Sequence, residues 1–145
     1  MNPPEPADLL AIQQLIYRYA DAVDRRDSEQ LATCFANEVT IIGPGFELPG
    51  KGVDVAGQIT ASLSASYLWT MHNVHNFLYT VDGNVGRGTA YCVASHVYLQ
   101  DGQALKLDWY VRYHDELVKV GGQWFIRRRR LEVSYSTTQP VVAVD

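Results

Sequence analysis

Cysteine is scarce: Cys34 and Cys92 stand far apart, without metal-ligand spacing or the density of a disulfide-stapled secreted domain. Both are read as buried free thiols. No apolar run approaches the roughly 20 residues that span a bilayer. The start, Met1-Asn-Pro-Pro-Glu-Pro, has neither the basic nor the apolar region of a signal peptide. No membrane association is expected, and cytoplasmic residence is the default expectation. Excess positive charge is also missing: 12 Lys and Arg against 16 Asp and Glu leave a net −4, which gives no general attraction to nucleic acid. The one basic run, Arg127 to Arg130, does not restore it, because alternate residues of a strand face opposite ways and only two of the four share a surface. A Gly-x-Ser-x-Gly elbow, a phosphate-binding glycine loop and a dinucleotide fingerprint are absent too. Hydrolase, nucleotide and hydride-transfer chemistry are thereby set aside.

What is present suits one domain spanning residues 1–145. The apolar fraction is 47% and the charged fraction 19%, ordinary for a globular chain with one core. After Pro3, Pro4 and Pro6, Asp8 is placed to cap a helix with an apolar stripe of Leu9, Ile12, Ile16 and Val23, ending near Arg26. Asp27 or Ser28 starts a short second helix, Glu29 to Phe35, with Leu31, Cys34 and Phe35 turned inward. Val39 to Ile42 is a β-branched strand closed by Gly43-Pro44-Gly45. Beyond Pro49-Gly50, Val55, Ile59 and Leu63 give helical spacing to a weak helix over residues 53–67.

From Thr70 the pattern becomes four long alternating stretches, separated by Asp82-Gly83-Asn84, Asp101-Gly102 and Gly121-Gly122. Helices first and an antiparallel meander afterwards define an α+β fold with helices covering one face of a curved sheet. Thr137 to Asp145 is either a tail or an added edge strand. Tyr110 or Trp109, depending on register, leaves an aromatic sheet face to be covered, and a homodimer or homotrimer is expected on that ground.

Helix one carries Tyr17, Tyr19, Asp21 and Asp24 beside its stripe. At 100° per residue, Tyr17 and Asp24 share one flank and Tyr19 lies on the other edge. On the first strand of the meander, His72, Val74, Asn76 and Leu78 fall on one face, and His75, Phe77 and Tyr79 on the other. His96 shares a face with Cys92, Ala94 and Tyr98. A plain structural reading is available for each: a solvated helix carboxylate, space-filling tyrosines, core histidines bonded to carbonyls. Zinc is not expected, because His72 and His75 diverge across the sheet and neither cysteine has a suitable neighbour. The remaining set of carboxylate, imidazole and tyrosine suits proton transfer. A carboxylate fixes the tautomer of a histidine beside it, and elimination or isomerisation next to a carbonyl needs such a pair plus an oxyanion donor. Tyr19, Tyr17 or Arg129 is placed to be that donor.

The run from Ala11 to Asp27, Thr70-x-His72-x-x-x-Asn76, Tyr113-x-Asp115-Glu-Leu and Gly121-Gly-Gln-Trp124-x-Ile126-x-x-Arg129 resembles the SnoaL-like domains of the nuclear-transport-factor-like superfamily. The resemblance spans nearly the whole chain. It implies a cone-shaped α+β barrel, with N-terminal helices packed on a highly curved, mostly antiparallel sheet. The residues are similar to the catalytic set of hexachlorocyclohexane dehydrochlorinase and bile-acid dehydratase. By that resemblance Asp24 orients His72, His72 is the base, and Tyr19 and Arg129 match further catalytic positions. Scytalone dehydratase, also similar, implies a His72 and His96 pair. Tyr17, Asn76, Trp109 and Tyr113 are expected to bind substrate. His96 and Tyr19 replace residue types found in the two named enzymes, so neither of their substrates carries over. The expectation is a cofactor-independent lyase, a dehydratase of hydrophobic cyclic or polyketide-like molecules. The alternatives are an isomerase or cyclase with the same pair, and a non-catalytic ligand-binding module, which predicts a filled pocket or an Asp24 turned away from His72.

Overall fold

The structure, a computed structural model, describes residues 3–144. Helix α1 spans Pro6–Arg25, with proline in its first turn, where no intrahelical donor is lost. It buries Ile12, Leu15, Ile16, Tyr19, Ala20, Ala22 and Val23. Asp8 is not its cap, as the helix starts two residues earlier. Its carboxylate instead accepts from Trp124 Nε1 at 2.9 Å and Lys119 Nζ at 3.0 Å, fastening the helix start to the far end of the sheet. Helix α2, Ser28–Thr33, is capped by Asp27, whose side chain accepts from the Gln30 amide at 3.0 Å. Phe35, expected to end that helix, opens strand β1, Phe35–Gly43. Leu31, Cys34 and Phe35 are all buried, as their spacing predicts.

Strand β2, Phe46–Lys51, was not legible: Pro49 and Gly50 read as breakers, yet β2 is a sheet edge, where a missing donor costs nothing. Helix α3, Gly52–Ser66, follows directly. At Gly52 a Cβ would lie 2.8 Å from the Ala36 carbonyl, so only glycine lets α3 start this close to β1.

The meander forms as expected: β3 (Trp69–Asp82), β4 (Val85–Gln100), β5 (Gln103–Val120) and β6 (Gln123–Pro140) pair antiparallel in sequence. The full order is β2-β1-β6-β5-β4-β3, so the sheet stays open, with β2 and β3 as edges. The β1–β6 pair is parallel. Together with the helices this is the cone-like α+β fold. Of the two options for the C-terminal segment, Thr137 to Pro140 extends β6 against β5, and Asp145 lies outside the described residues.

Two bulges correct the simple alternation. In β3 the register shifts between His75 and Leu78, and Asn76 sits at φ 54°. The shift exchanges the faces: Thr70, His72 and Val74 point inward, but beyond the bulge Phe77, Tyr79 and Val81 do, leaving Leu78 75% exposed. In β6 the shift beside Arg127 puts Arg127, Arg128 and Arg130 at the surface and Arg129 in the core, rather than two on each side. Arg127 and Arg87 both pair with Glu116. Among the described residues no helix is long and apolar enough to cross a membrane.

Candidate active site

Between α1, α3 and the inner face of the sheet lies a cavity of about 370 Å³. Its walls are mostly apolar: Val23, Ile41, Leu48, Ile59, Leu63, Ala94, Val111 and Leu131, with Phe46, Tyr67 and Trp109 as aromatic surfaces. The polar groups in it are few, namely His72, His96, Tyr19, Tyr113 and the α3 residues Gln58, Ser62 and Ser66. Such a lining favours an apolar ligand oriented by a few hydrogen bonds.

Asp24 and His72 meet at this wall. His72 Nδ1 is 2.7 Å from Asp24 Oδ1, and the His72 backbone amide donates to Oδ2 at 2.8 Å. Thr70 Oγ1 also donates to Oδ1 at 2.9 Å. Because a carboxylate accepts, the Nδ1 proton points at Asp24 and Nε2 is the free nitrogen. His96, 6.0 Å from His72 ring to ring, lies between Tyr67 (4.7 Å) and Trp109 (5.6 Å). Its Nδ1 donates to the Leu107 carbonyl at 3.1 Å, which leaves Nε2 as an acceptor. Burial lowers the His96 pKa below the ordinary imidazole value, keeping the ring neutral.

Tyr19 and Tyr113 are almost fully buried and line the cavity. Burial raises both hydroxyl pKa values, so both remain protonated donors. Arg129 lies behind them with no exposure, its guanidinium 4.3 Å from the Tyr19 ring and 3.8 Å from the Tyr113 ring. It forks onto Asp115, Nε to Oδ1 at 2.7 Å and Nη2 to Oδ2 at 2.8 Å, and the Tyr79 hydroxyl donates to Oδ2 at 2.6 Å. Burial works against the Arg129 charge, but the Asp115 carboxylate outweighs it and raises the pKa well above the usual arginine value. Arg129, an expected catalytic residue, therefore does not line the cavity; it lies beneath the two tyrosine rings, paired with Asp115.

The structure brings together Asp24, His72, His96, Tyr19, Trp109 and Tyr113. Besides Arg129, it leaves two of the expected residues outside the cavity. Tyr17 is 45% exposed and packs edge-on against Phe77 at 5.2 Å, away from the cavity. Asn76, carried to the outer side by the bulge, is exposed and contacts His75 Nδ1 at 3.0 Å. Tyr110 is on the outer face, stacked on Tyr135 at 4.3 Å, while Trp109 faces in. Sequence reasoning overlooked Arg26 and Tyr67 and gave Thr70 and Asp115 no role. Thr70 was within reach, since it shares the strand face of His72. Among the described residues no three His, Cys, Asp or Glu side chains converge as a metal site.

A helix-covered curved sheet thus encloses an apolar cavity with a carboxylate–imidazole pair at its wall. The chain belongs to the SnoaL-like domain family, whose pattern matches residues 4–130. No curated protein matches it. Among solved structures it is similar to a variant of Rv3472, a protein of unknown function from Mycobacterium tuberculosis, at 27% identity over 90% of this chain and 76% of that one, TM-score 0.75. A Novosphingobium aromaticivorans protein provisionally named a scytalone dehydratase is 24% identical, over 96% and 92% of the two chains, TM-score 0.79. A hexachlorocyclohexane dehydrochlorinase of Novosphingobium barchaimii is 18% identical, over 95% and 92%, TM-score 0.79. The last two establish the shared fold.

Proposed function

We propose that the chain is a cofactor-independent lyase, a dehydratase acting on a hydrophobic cyclic or polyketide-like small molecule. The observation that carries this reading is the 2.7 Å contact between Asp24 and His72 at the wall of an apolar cavity. A passive binding module predicts a filled pocket or an Asp24 turned away; the open cavity and the Asp24–His72 contact favour the catalytic reading.

His72 Nε2 takes the proton from a carbon next to a carbonyl, and the electron pair moves onto the carbonyl oxygen. Asp24 holds the Nδ1–H tautomer and balances the charge the ring acquires. The Tyr19 or Tyr113 hydroxyl donates to the oxyanion, with Arg129 behind both rings favouring negative charge at that spot. When the electrons return, the β C–O bond breaks, a C=C bond forms, and the imidazolium gives its proton to the departing hydroxide, releasing water. His96, neutral and with Nε2 free, fits an acceptor of a substrate hydroxyl better than an acid for the leaving group.

The test is turnover of cyclic hydroxy-ketones followed by mass spectrometry. His72→Ala and Asp24→Asn should each lower turnover by about 10²–10⁴-fold, while circular dichroism and thermal unfolding stay near wild type. Near-native turnover by His72→Ala would sink the proposal. A product of unchanged mass moves the reaction to isomerisation or cyclisation by the same pair.

A further inference from the structure

Asp24 stands in the last turn of α1, where the helix presents its negative end and a carboxylate is disfavoured. Arg26, two residues on, brings the opposite charge from a left-handed conformation (φ 58°) that glycine usually occupies. Its neighbour Arg25 turns outward to Asp21 at 2.8 Å. Arg26 turns inward: its Nη1 donates to the Val23 carbonyl at 2.8 Å and to Thr70 Oγ1 at 2.7 Å. Thr70, 8% exposed, then donates to Asp24 Oδ1 at 2.9 Å. A guanidinium offers no acceptor, so the Thr70 proton is directed to Asp24 alone.

One hydroxyl thus stands between a cation and a carboxylate that would otherwise pair directly and in a fork. A direct pair would compete for Oδ1, the oxygen that holds His72 Nδ1. His96 on β4 also faces the His72 ring, 6.0 Å away from centroid to centroid.

We propose that Thr70 and Arg26 are positioning residues for the Asp24–His72 pair. Thr70 keeps the guanidinium one hydroxyl away from Asp24, so the carboxylate stays on His72, while the charge of Arg26 reaches it through the Thr70 O–H bond. The catalytic consequence rests on His72 being the base; the geometric claim does not.

The experiment is ¹⁵N NMR of the imidazoles in the full chain without ligand, with His72 signals assigned by their loss in His72→Ala, alongside turnover. Wild type should show His72 as a single Nδ1–H tautomer. In Thr70→Val, Arg26 closes on Asp24, the tautomer becomes mixed, and kcat falls about 10–100-fold with KM little changed. Thr70→Ala carries the same expectation should the valine variant not fold, and Thr70→Ser behaves as wild type. The deciding variant is Thr70→Val with Arg26→Met. Removing the cation should restore the single tautomer and most of the lost kcat, whereas residues with a merely structural role would make the double variant worse than either single one. A single Nδ1–H tautomer in Thr70→Val, or a double variant no better than Thr70→Val, overturns the proposal. Full turnover by His72→Ala would remove the proposed activity and leave the tautomer results to decide on Thr70 and Arg26.

Discussion

Asp115 and Arg129 form a buried ion pair with neither side chain exposed, and its removal should show how strongly the cavity floor depends on it. In Asp115→Asn the size is kept but the charge is lost. Arg129, which cannot shed its proton, is left charged between two tyrosine rings, with Tyr79 holding only an amide oxygen. An uncompensated buried charge of this kind costs about 3–5 kcal/mol, at least about a fifth of the roughly 5–15 kcal/mol that holds a domain together. At about 2–4 °C per kcal/mol for a chain of this size, Tm should fall by about 6–20 °C. Arg129→Met should cost about 3 kcal/mol, since the stranded carboxyl can take up a proton. The double variant strands no charge, so its loss should fall short of the sum by about 3 kcal/mol. Urea unfolding followed by tryptophan fluorescence measures all four corners of this cycle, with Trp124 in the core as reporter. Additivity within about 0.5 kcal/mol, or an Asp115→Asn loss below about 1 kcal/mol, as for a solvated pair, would refute the reasoning.

His96 should make stability depend on pH. Its folded pKa lies below 6.5, so the unfolded chain binds the proton more readily, and stability falls as pH drops from about 6.5 towards the folded value. Urea midpoints against pH should show this slope, and His96→Gln should flatten it; an unchanged slope places the titration elsewhere. Gly88→Ala should destabilise by about 1–3 kcal/mol, because a Cβ there runs into the Leu78 carbonyl and comes within 2.6 Å of Tyr79 Cα, backbone that cannot swing aside. A thermal melt within about 1 °C of wild type would contradict that packing.

Much of the fold was legible because local patterns report it directly. The α1 stripe has a 3.6-residue period. The meander alternates by two, and its turns carry glycines at positive φ, such as Gly102 at 78° and Gly122 at 80°. The misses share a different cause. Pro49 and Gly50 exclude a central strand but not an edge, and only the assembled sheet makes β2 an edge. The bulge at Asn76 inserts one residue, and that is enough to send Asn76 out and Phe77 in, against the alternation. The helical wheel set Tyr17 beside Asp24, but the side chain at that position meets Phe77 and solvent, while Tyr19 reaches the cavity.

By itself, the sequence determined the order of helices and strands, the turns, the family pattern and the residue types capable of proton transfer, all of which depend on short-range periodicity and chemistry. Only the tertiary structure decided which of those groups meet. Asp24 and His72 are 48 residues apart in the chain, and Arg26, Thr70, Asp115 and Arg129 gain their roles from partners on other elements. The physical reason is that a hydrogen bond needs its donor and acceptor within about 3 Å, a distance fixed by strand register, bulges and helix packing together, and no single segment carries that information.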